Sequence, residues 1–289
     1  MSPLLKIRAE RDQMSAIERR IADFIVENAQ LLRDYSSQQL ANALKISQSS
    51  VVKFSQKLGF KGYPDLKYSV GESIARGDAG EINGTAEARR DDPHGALAES
   101  LWLSKSQAEQ ETRLINPPSL IDDIAAAIGK AGKVFIIGLG EDGIPARAFA
   151  QRLSMLDILT VHHFDTVLMS ASLATANAGD VLLVFSELGQ QPALGKLSRQ
   201  FREHFDGAGA RGGAVISVTR HTANPLRAHA DMALLVSAHD ERPHIEPLLY
   251  QSALRHLLDL LFVLLCEQDE SRLARLVANH GRIQSLLEP

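Results

Sequence analysis

The sequence contains a single cysteine, Cys266, which lies within an apolar run. One cysteine cannot form an internal disulfide, and without partner cysteines it offers no framework for zinc. No uninterrupted apolar run reaches the roughly 18 residues that a membrane span requires, and the first residues lack the apolar core of a signal peptide. We therefore expect a cytoplasmic protein that does not associate with membranes.

The net charge is also small, −4 over 289 residues, which by itself argues against a nucleic-acid partner. Its distribution is uneven, however. Residues 1–76 carry 12 Lys and Arg against 8 Asp and Glu, a net of +4, whereas the remainder carries 19 against 27, a net of −8. A basic first quarter on an acidic body is typical of a DNA-reading head joined to a domain that does not bind DNA.

The first 76 residues have the pattern of a compact helical unit. Ser15 followed by Glu18 is a capping box, which predicts the start of a helix. Residues 36–44 predict a short second helix capped by a serine, and residues 48–58 predict another, which Gly59 ends. The turn between these two short helices is only three residues long.

Two short helices joined by such a turn form a helix-turn-helix, in which the second helix lies in the major groove of DNA. The exposed start of that helix needs polar side chains, which Gln48 and Lys53 supply, and its inner face needs apolar ones, which Phe54 and Leu58 supply. The alternative is a plain helical bundle in which the polar start is only a cap.

The residues that we expect to contact DNA are polar or basic. Hydroxyl and amide groups can bond to base edges, whereas lysines suit phosphates. The predicted set is Ser36, Ser37, Ser47, Gln48, Ser49, Ser50, Lys53, Lys57, Lys61 and Lys67.

From residue 133 the pattern changes to apolar runs separated by helical stretches. The runs are 134–137, 158–161, 181–185, 214–218 and 232–236. Continuous apolar runs indicate buried parallel strands, and their alternation with helices predicts a three-layer α/β domain with a five-stranded parallel sheet. Ligands of such sheets bind at the carboxyl ends of the strands.

Residues 77–93 are small, polar and charged, and we interpret them as a linker. The predicted domains are therefore 1–76 and 94–289. The helix at 251–265 is apolar almost all round, so we expect it in the core or in a dimer seam.

The sequence also resembles a known family. The segments 15–22, 47–54 and 58–63 are similar to the N-terminal helix-turn-helix domain of RpiR-type bacterial regulators, closest to the MurR-like branch. The α/β half is similar to the family's sugar-isomerase (SIS) domain in order and length, so the resemblance covers nearly the whole chain.

This resemblance implies a regulator, in most cases a repressor, of carbohydrate or amino-sugar metabolism genes. It implies a homodimer or homotetramer that binds a partly palindromic operator in double-stranded DNA. It also implies a sugar-derived effector bound to the SIS domain.

A glycine-rich run at 138–143 follows the first predicted strand and fits the G-x-G-x-x-G pattern, and Asp165 lies 22 residues beyond Gly143. This is the spacing of a dinucleotide site with its ribose carboxylate. However, Glu141 and Asp142 would place carboxylates where a pyrophosphate needs bare backbone amides. We therefore predict no NAD and no other cofactor.

The same loop bears on the effector. Family members that bind sugar phosphates have Ser or Thr hydroxyls in the first loop and in a Ser-x-Ser-Gly turn after a later strand. This sequence has Asp142 at the first position and Leu188 at the second serine of the turn. Asp142 would repel a phosphate dianion and Leu188 cannot donate to it, although Arg220 could offset this or could pair with Asp142.

The expected effector site nevertheless stays in this crevice. Its predicted residues are Gly138, Gly140, Asp142, Ser186, Gly189, Thr219 and Arg220. An unphosphorylated sugar, a sugar acid or no ligand at all remain open.

Two other groups of residues have the composition of a site. His162 and His163 are adjacent and would point to opposite faces of a strand, so we expect no metal site beside Asp165. The loop at 239–246 carries His239, His244 and Glu246, which either reach a neighbouring subunit or face solvent.

Catalysis is the alternative function. Ser186 lacks a nucleophile elbow. A SIS-type sugar-phosphate isomerase or etherase needs a phosphate anchor and a general base, and its anchoring hydroxyls are depleted here. We therefore predict that the protein is not an enzyme.

Overall fold

The computed structural model describes residues 3–75, 93–205 and 212–287, so nearly all of the predicted linker at 77–93 lies outside the described residues. The chain divides into two compact units. The first comprises Met1–Ile115 and His239–Leu249, and the second comprises Asn116–Ala238 and Tyr250–Pro289.

The first unit is helical. Its helices are α1 (Pro3–Glu10), α2 (Ala16–Glu27), α3 (Ser37–Ala43), α4 (Gln48–Lys57), α5 (Tyr63–Ala75) and α6 (Pro93–Ile115). One apolar cluster holds α1 to α5 together, and its fully buried members include Ile7, Ile21, Ile25, Leu40, Val51, Phe54, Leu66 and Val70.

Serine caps determine where these helices begin. The predicted capping box is confirmed, because Ser15 Oγ accepts the N–H of Glu18 and the Glu18 carboxylate accepts the N–H of Ser15 at 2.7 Å. Ser36 makes the same reciprocal pair with Gln39 at the start of α3. Gly59 follows the end of α4 at φ +83°, the left-handed conformation that favours glycine after a helix.

Helix α6 belongs to the first unit, whereas the sequence placed the second domain from residue 94 onward. The reason is that α6 packs against α1. Arg8 of α1 is partly buried there, and burial lowers its pKa although the nearby carboxylates of Glu111 and Glu241 act in the opposite direction. Arg242, from the returning segment, also donates to Ser104 of α6 at 3.4 Å.

The second unit contains the sheet. Its strands are β1 (Val134–Gly138), β2 (Thr160–His162), β3 (Val181–Phe185), β4 (Ala214–Arg220) and β5 (Met232–Val236). All pairings are parallel, in the order β2-β1-β3-β4-β5. The predicted five-stranded parallel sheet is confirmed, although β2 begins two residues later than the apolar run that predicted it.

Helix α7 precedes β1, helices α8 to α11 connect the strands, and α12 and α13 follow the sheet. Their bounds are α7 (Pro118–Lys130), α8 (Gly143–Met155), α9 (Thr166–Leu173), α10 (Pro192–Glu203), α11 (Pro225–Ala228), α12 (Glu246–Glu267) and α13 (Glu270–Leu287). Strands β1 and β3 are buried at every residue, which explains why their sequences show no alternation.

The edge strand β5 is completed by a side chain. The amide of Asn116 donates to the carbonyl of Leu235 at 2.6 Å and accepts the N–H of Leu235 at 3.0 Å. The side chain thereby takes the place of a neighbouring strand at that residue.

Among the described residues, α12 is the one helix whose length and composition would allow it to cross a membrane, with 44% of its most apolar stretch buried. The core helix of a soluble protein has the same composition. Leu254, Leu257 and Leu261 of α12 are buried, whereas Leu260 and Val263 are exposed, so the helix is less evenly covered than its sequence suggests.

Candidate DNA-reading helix and effector crevice

Helices α3 and α4 and the turn between them have the geometry of a helix-turn-helix. Lys45, in the turn, adopts a left-handed φ of +51°. Val51 and Phe54 of α4 are buried in the helical core, whereas Gln48 and Lys53 are exposed. The apolar face of α4 therefore anchors the helix in the core, whereas its polar face is exposed to solvent.

Three serines form one cluster at the start of α4. Ser47 Oγ lies 2.7 Å from Ser50 Oγ and 2.9 Å from Ser49 Oγ, and it accepts the N–H of Ser50 at 3.2 Å. Ser47 and Ser49 are exposed. The structure thus brings together three of the residues predicted to contact DNA, and it makes Ser47 the cap as well.

Gln48 connects the two helices of the motif. Its Nε2 donates to Ser37 Oγ at 2.8 Å, which holds the amide in one orientation at the surface. An amide has two N–H donors and an acceptor, so Gln48 keeps further hydrogen-bonding capacity.

The four predicted lysines divide into two groups. Lys57 Nζ lies 2.9 Å from both carboxylate oxygens of Glu18, and Lys67 Nζ donates to the carbonyl of Tyr35 at 3.1 Å. Both ammonium groups therefore hold the helical unit together. Lys53 and Lys61 are exposed, and so is Lys57 despite its contact with Glu18.

Sequence reasoning missed two residues that support this motif. Arg20 donates to the carbonyl of Leu44 at the end of α3. Tyr63 donates its hydroxyl to the carbonyl of Tyr35 at 2.9 Å, and burial raises the pKa of this phenol to about 12. Neither contact lies within a motif, so local sequence spacing gave no signal for it.

The second candidate site is the region at the carboxyl ends of β1, β3 and β4, which we call the crevice because ligands of such sheets bind there. Gly138 ends β1 in such close approach that a Cβ there would lie 2.3 Å from the carbonyl oxygen of Asp142. Gly189 has a φ of +63°, and a Cβ there would lie 2.1 Å from Asn224 Oδ1. Two glycines thus allow the loops after β1 and β3 to fold tightly against their neighbours.

Asp142 is buried in this crevice, directly before α8. Its Oδ1 accepts the backbone N–H of Glu187 at 3.1 Å, so the loops after β1 and β3 are joined through it. Burial raises the pKa of Asp142; the hydrogen bond from Glu187 acts in the opposite direction, and the charge of Glu141 adds to the rise.

The two predicted hydroxyl groups hold turns. Ser186 is buried and its Oγ accepts the N–H of Gly189 at 3.2 Å. Thr219 Oγ1 accepts from Asn224 Nδ2 at 3.2 Å and donates to the carbonyl of Arg220 at 3.1 Å.

Arg220, the last residue of β4, contacts residues that follow β3 and β5. Its Nη2 donates to the carbonyl of Ala238 at 2.8 Å, and its Nη1 lies 3.9 Å from Glu187 Oε1. Its backbone N–H also donates to the carbonyl of Glu187 at 2.8 Å. Glu187 is therefore an acidic neighbour of Arg220, whereas the pairing with Asp142 that the sequence left open is not among the contacts found in the described part of the chain.

The crevice contains two residues that sequence reasoning missed, Glu187 and Tyr250. Tyr250 of α12 is fully buried, and the charges that act on its hydroxyl are those of Asp142, Glu187 and Arg220. Burial raises its pKa well above the ordinary value, so the hydroxyl stays protonated. Tyr250 comes from a helix far along the chain, and no local motif marks it.

The positions considered for a dinucleotide or a metal serve the fold. Asp165 caps α9, accepting the N–H groups of Val167 at 2.7 Å and Leu168 at 3.0 Å. His162 Nδ1 lies 2.9 Å from the carbonyl of Ile136, whereas His163 Nε2 lies 2.9 Å from Ser172 Oγ. The two rings therefore have separate partners, as expected for adjacent residues at the end of a strand.

In the loop at 239–246, before α12, His239 Nδ1 lies 3.4 Å from Glu246 Oε1. Two of the three residues singled out in this loop thus contact each other within the first unit.

Comparison with known proteins assigns both halves of the chain. Residues 1–77 match the helix-turn-helix domain of the rpiR family, and residues 127–264 match the SIS domain. The HTH-type transcriptional regulator YfhH of Escherichia coli is 29% identical over 270 residues, covering 93% of each chain. The HTH-type regulator TTE0211 of Caldanaerobacter subterraneus is 24% identical over 283 residues, covering 98% of this chain and 97% of that protein.

Among solved structures, the Vibrio vulnificus NanR protein complexed with ManNAc-6P has a similar fold. It is 19% identical in sequence, the TM-score is 0.59, and the match covers 99% of this chain and 100% of that chain.

Proposed function

The chain belongs to the RpiR family of helix-turn-helix transcriptional regulators, and on this basis we propose that it represses genes of carbohydrate or amino-sugar metabolism. A sugar-derived effector bound in the crevice of the SIS domain releases the operator. The protein acts in the cytoplasm as a homodimer or homotetramer, because a partly palindromic operator requires paired reading helices.

The arrangement of α4 carries the DNA-binding part of this proposal. Its inner face is anchored by Phe54, while its exposed start presents the hydroxyls of Ser47, Ser49 and Ser50 and the amide of Gln48. Such groups can donate to and accept from base edges in the major groove. Ser36 and Ser37 lie at the start of α3, where backbone and hydroxyl groups can contact the phosphates beside the groove.

We assign the phosphate contacts of α4 and the following turn to Lys53 and Lys61. Lys57 and Lys67, which the sequence placed in the same role, are already engaged by Glu18 and by the carbonyl of Tyr35. A lysine that must give up an ion pair or hydrogen bond within the protein to bind a phosphate gains less than one that gives up only its contacts with water.

The test is a binding experiment on selected DNA. The full chain is used to select its operator from random double-stranded DNA, and fluorescence anisotropy then measures binding to that operator and to a scrambled one. Gln48→Ala and Ser50→Ala should reduce discrimination between the two, by about 1–3 kcal/mol for each hydrogen-bonded base that the variant no longer reads. Absence of any selected sequence would contradict the proposed function.

Lysine variants provide the matched control. Lys53→Ala should weaken binding to both DNAs alike and reduce the slope of log K against log salt by about one. Lys57→Ala should change that slope by clearly less. If all four variants gave the same uniform loss, α4 would not lie in the groove as we propose.

The sequence also left open a sugar-phosphate isomerase or etherase. The curated relatives that span nearly the whole chain are named as transcriptional regulators, which favours regulation over catalysis. Assays of isomerisation on the sugar phosphates used below would test this directly, and turnover without operator binding would reverse the assignment.

A further inference from the structure

We propose that the crevice of the SIS domain selects an unphosphorylated, polyhydroxylated ligand, and that Asp142, Glu187 and Tyr250 bind its hydroxyl groups. This inference rests on the proposed role of the crevice as the effector site. It names the class of effector and adds two binding residues, Glu187 and Tyr250, to the set expected from the sequence.

The balance of charge in the crevice is the first argument. Two carboxylates, of Asp142 and Glu187, lie at the ends of β1 and β3, and Arg220 is the basic residue between the loops. Its guanidinium already donates to the carbonyl of Ala238 and lies beside Glu187. A phosphate dianion entering here would meet two like charges, whereas an uncharged ligand would meet none of this repulsion.

The second argument is the hydroxyl of Tyr250. Its side chain is fully buried, and across the described ranges of the chain this hydroxyl has no hydrogen-bond partner. Buried polar groups in folded proteins nearly always have a partner, and leaving one without a partner destabilises the fold. The hydroxyl lies within the field of Asp142, Glu187 and Arg220, so the crevice is where a partner can be supplied.

The chemistry of these groups matches a sugar or polyol. The protonated phenol of Tyr250 donates, and the carboxylates of Asp142 and Glu187 accept. Asp142 uses Oδ1 for the N–H of Glu187, which leaves the accepting capacity of Oδ2. Neighbouring hydroxyls of a polyol can each donate to a carboxylate while accepting from another group, so one ligand satisfies donors and acceptors together.

The turn that follows β3 agrees with this selection. Ser186 is buried and engaged with Gly189, and Leu188, 57% exposed, presents no hydrogen-bond donor from its side chain. The side chains of Ser186 and Leu188 therefore offer this turn little means of donating hydrogen bonds to an anion.

The experiment compares matched pairs of probes. Isothermal titration of the full chain would use glucose and glucose 6-phosphate, N-acetylmannosamine and its 6-phosphate, arabinose and its 5-phosphate, and inorganic phosphate. We expect at least one uncharged sugar to bind about tenfold or more tightly than its phosphorylated counterpart. Tighter binding of a phosphorylated member, or no binding of any uncharged probe, overturns the proposal.

Variants then test the residues. Tyr250→Phe removes only the hydroxyl and should weaken binding of the uncharged sugar about 3- to 10-fold, the loss expected for one hydrogen bond. Tyr68→Phe, at an exposed tyrosine of α5, is the matched control and should leave the affinity unchanged. An unchanged affinity of Tyr250→Phe, with a thermal unfolding midpoint like that of the parent, rejects the role of the hydroxyl.

Asp142→Ser supplies a second, independent result, because it replaces a repelling carboxylate by a hydroxyl donor. We expect it to increase the affinity for the phosphorylated member of the pair, and an unchanged or lower affinity contradicts the charge argument. Measuring operator binding in the absence of ligand distinguishes failure of the proposed function from failure of this inference. If the parent protein binds no operator, the proposed function is rejected. If it binds an operator but prefers a sugar phosphate, only this inference is rejected.

Discussion

Glu18 in the helical unit and Asp142 in the SIS crevice are both carboxylates at the start of a helix, yet their pKa values move in opposite directions. Burial raises the pKa of Glu18, but hydrogen bonds from Ser15 and Lys57 outweigh it, and the pKa is lowered. For Asp142 burial dominates over the one backbone hydrogen bond from Glu187, and the pKa is raised. The fold stabilises one charge and disfavours the other.

The difference separates a structural carboxylate from one available to a ligand. Glu18 completes a capping box and pairs with Lys57, so its partners all belong to the same helical unit. Asp142 makes no side-chain capping bond to its own helix, and its charge acts on the hydroxyl of Tyr250, which has no hydrogen-bond partner among the described residues. Such under-satisfied polar groups destabilise a fold unless a ligand engages them, which makes them candidates for a functional site.

The largest effect is expected from Gly138→Ala, which attacks the backbone that places Asp142. The added Cβ would lie 2.3 Å from the carbonyl oxygen of Asp142, so the loop after β1 must move. We expect a loss of about 3 kcal/mol or more in the free energy of unfolding. Urea denaturation followed by circular dichroism measures it.

Gly195→Ala is the control for that variant. Gly195 lies within α10, and a Cβ there would meet nothing within 4 Å. Alanine should stabilise the helix by about 0.5–1 kcal/mol. Equal effects of the two substitutions would mean that the crevice backbone is not held as tightly as the structure indicates.

The features that could be predicted from sequence are local ones. The capping box of Ser15 and the stop at Gly59 depend on neighbours within a few residues, and each was found where the pattern placed it. The pattern left the next cap open between two serines, and the structure has it at Ser36. Strands β1 and β3 were predictable because fully buried parallel strands are continuously apolar. Strand β2 is only half-buried, and the apolar run predicted its start two residues too early.

Long-range partners could not be predicted. The pairing of Lys57 with Glu18 joins residues 39 positions apart, so local spacing gave no signal for it. Tyr250 reaches the crevice from a helix beyond the last strand, and its apolar neighbours in sequence indicate only a core helix.

A moderate effect is expected from Glu18→Gln. The lowered pKa of Glu18 means that its ionised form stabilises the fold above the unfolded-state pKa, and this contribution is lost as pH falls through the folded-state pKa. At pH 7 the variant should be less stable by about 1 kcal/mol. The difference from the parent should shrink as the pH falls below about 4.

Glu27→Gln, at the exposed end of α2, is the control for this pH series. It should stay within about 0.5 kcal/mol of the parent at each pH. A Glu18→Gln deficit that persisted undiminished at low pH would show that the glutamate acts through packing and not through its charge.

The smallest effect, and one of opposite sign, is expected from Asp142→Asn. Because the folded-state pKa is raised, the fold binds a proton more tightly than the unfolded chain does, and stability falls as the pH rises from the unfolded-state pKa through the folded-state pKa. The amide removes this penalty while its oxygen can still accept the N–H of Glu187. At pH 7 the variant should therefore equal the parent or exceed it by up to about 1 kcal/mol, with no difference in acid. A loss of stability at pH 7 as large as that of Glu18→Gln would show that the Asp142 carboxylate stabilises the fold as Glu18 does. It would then contradict the view that this carboxylate is available to a ligand.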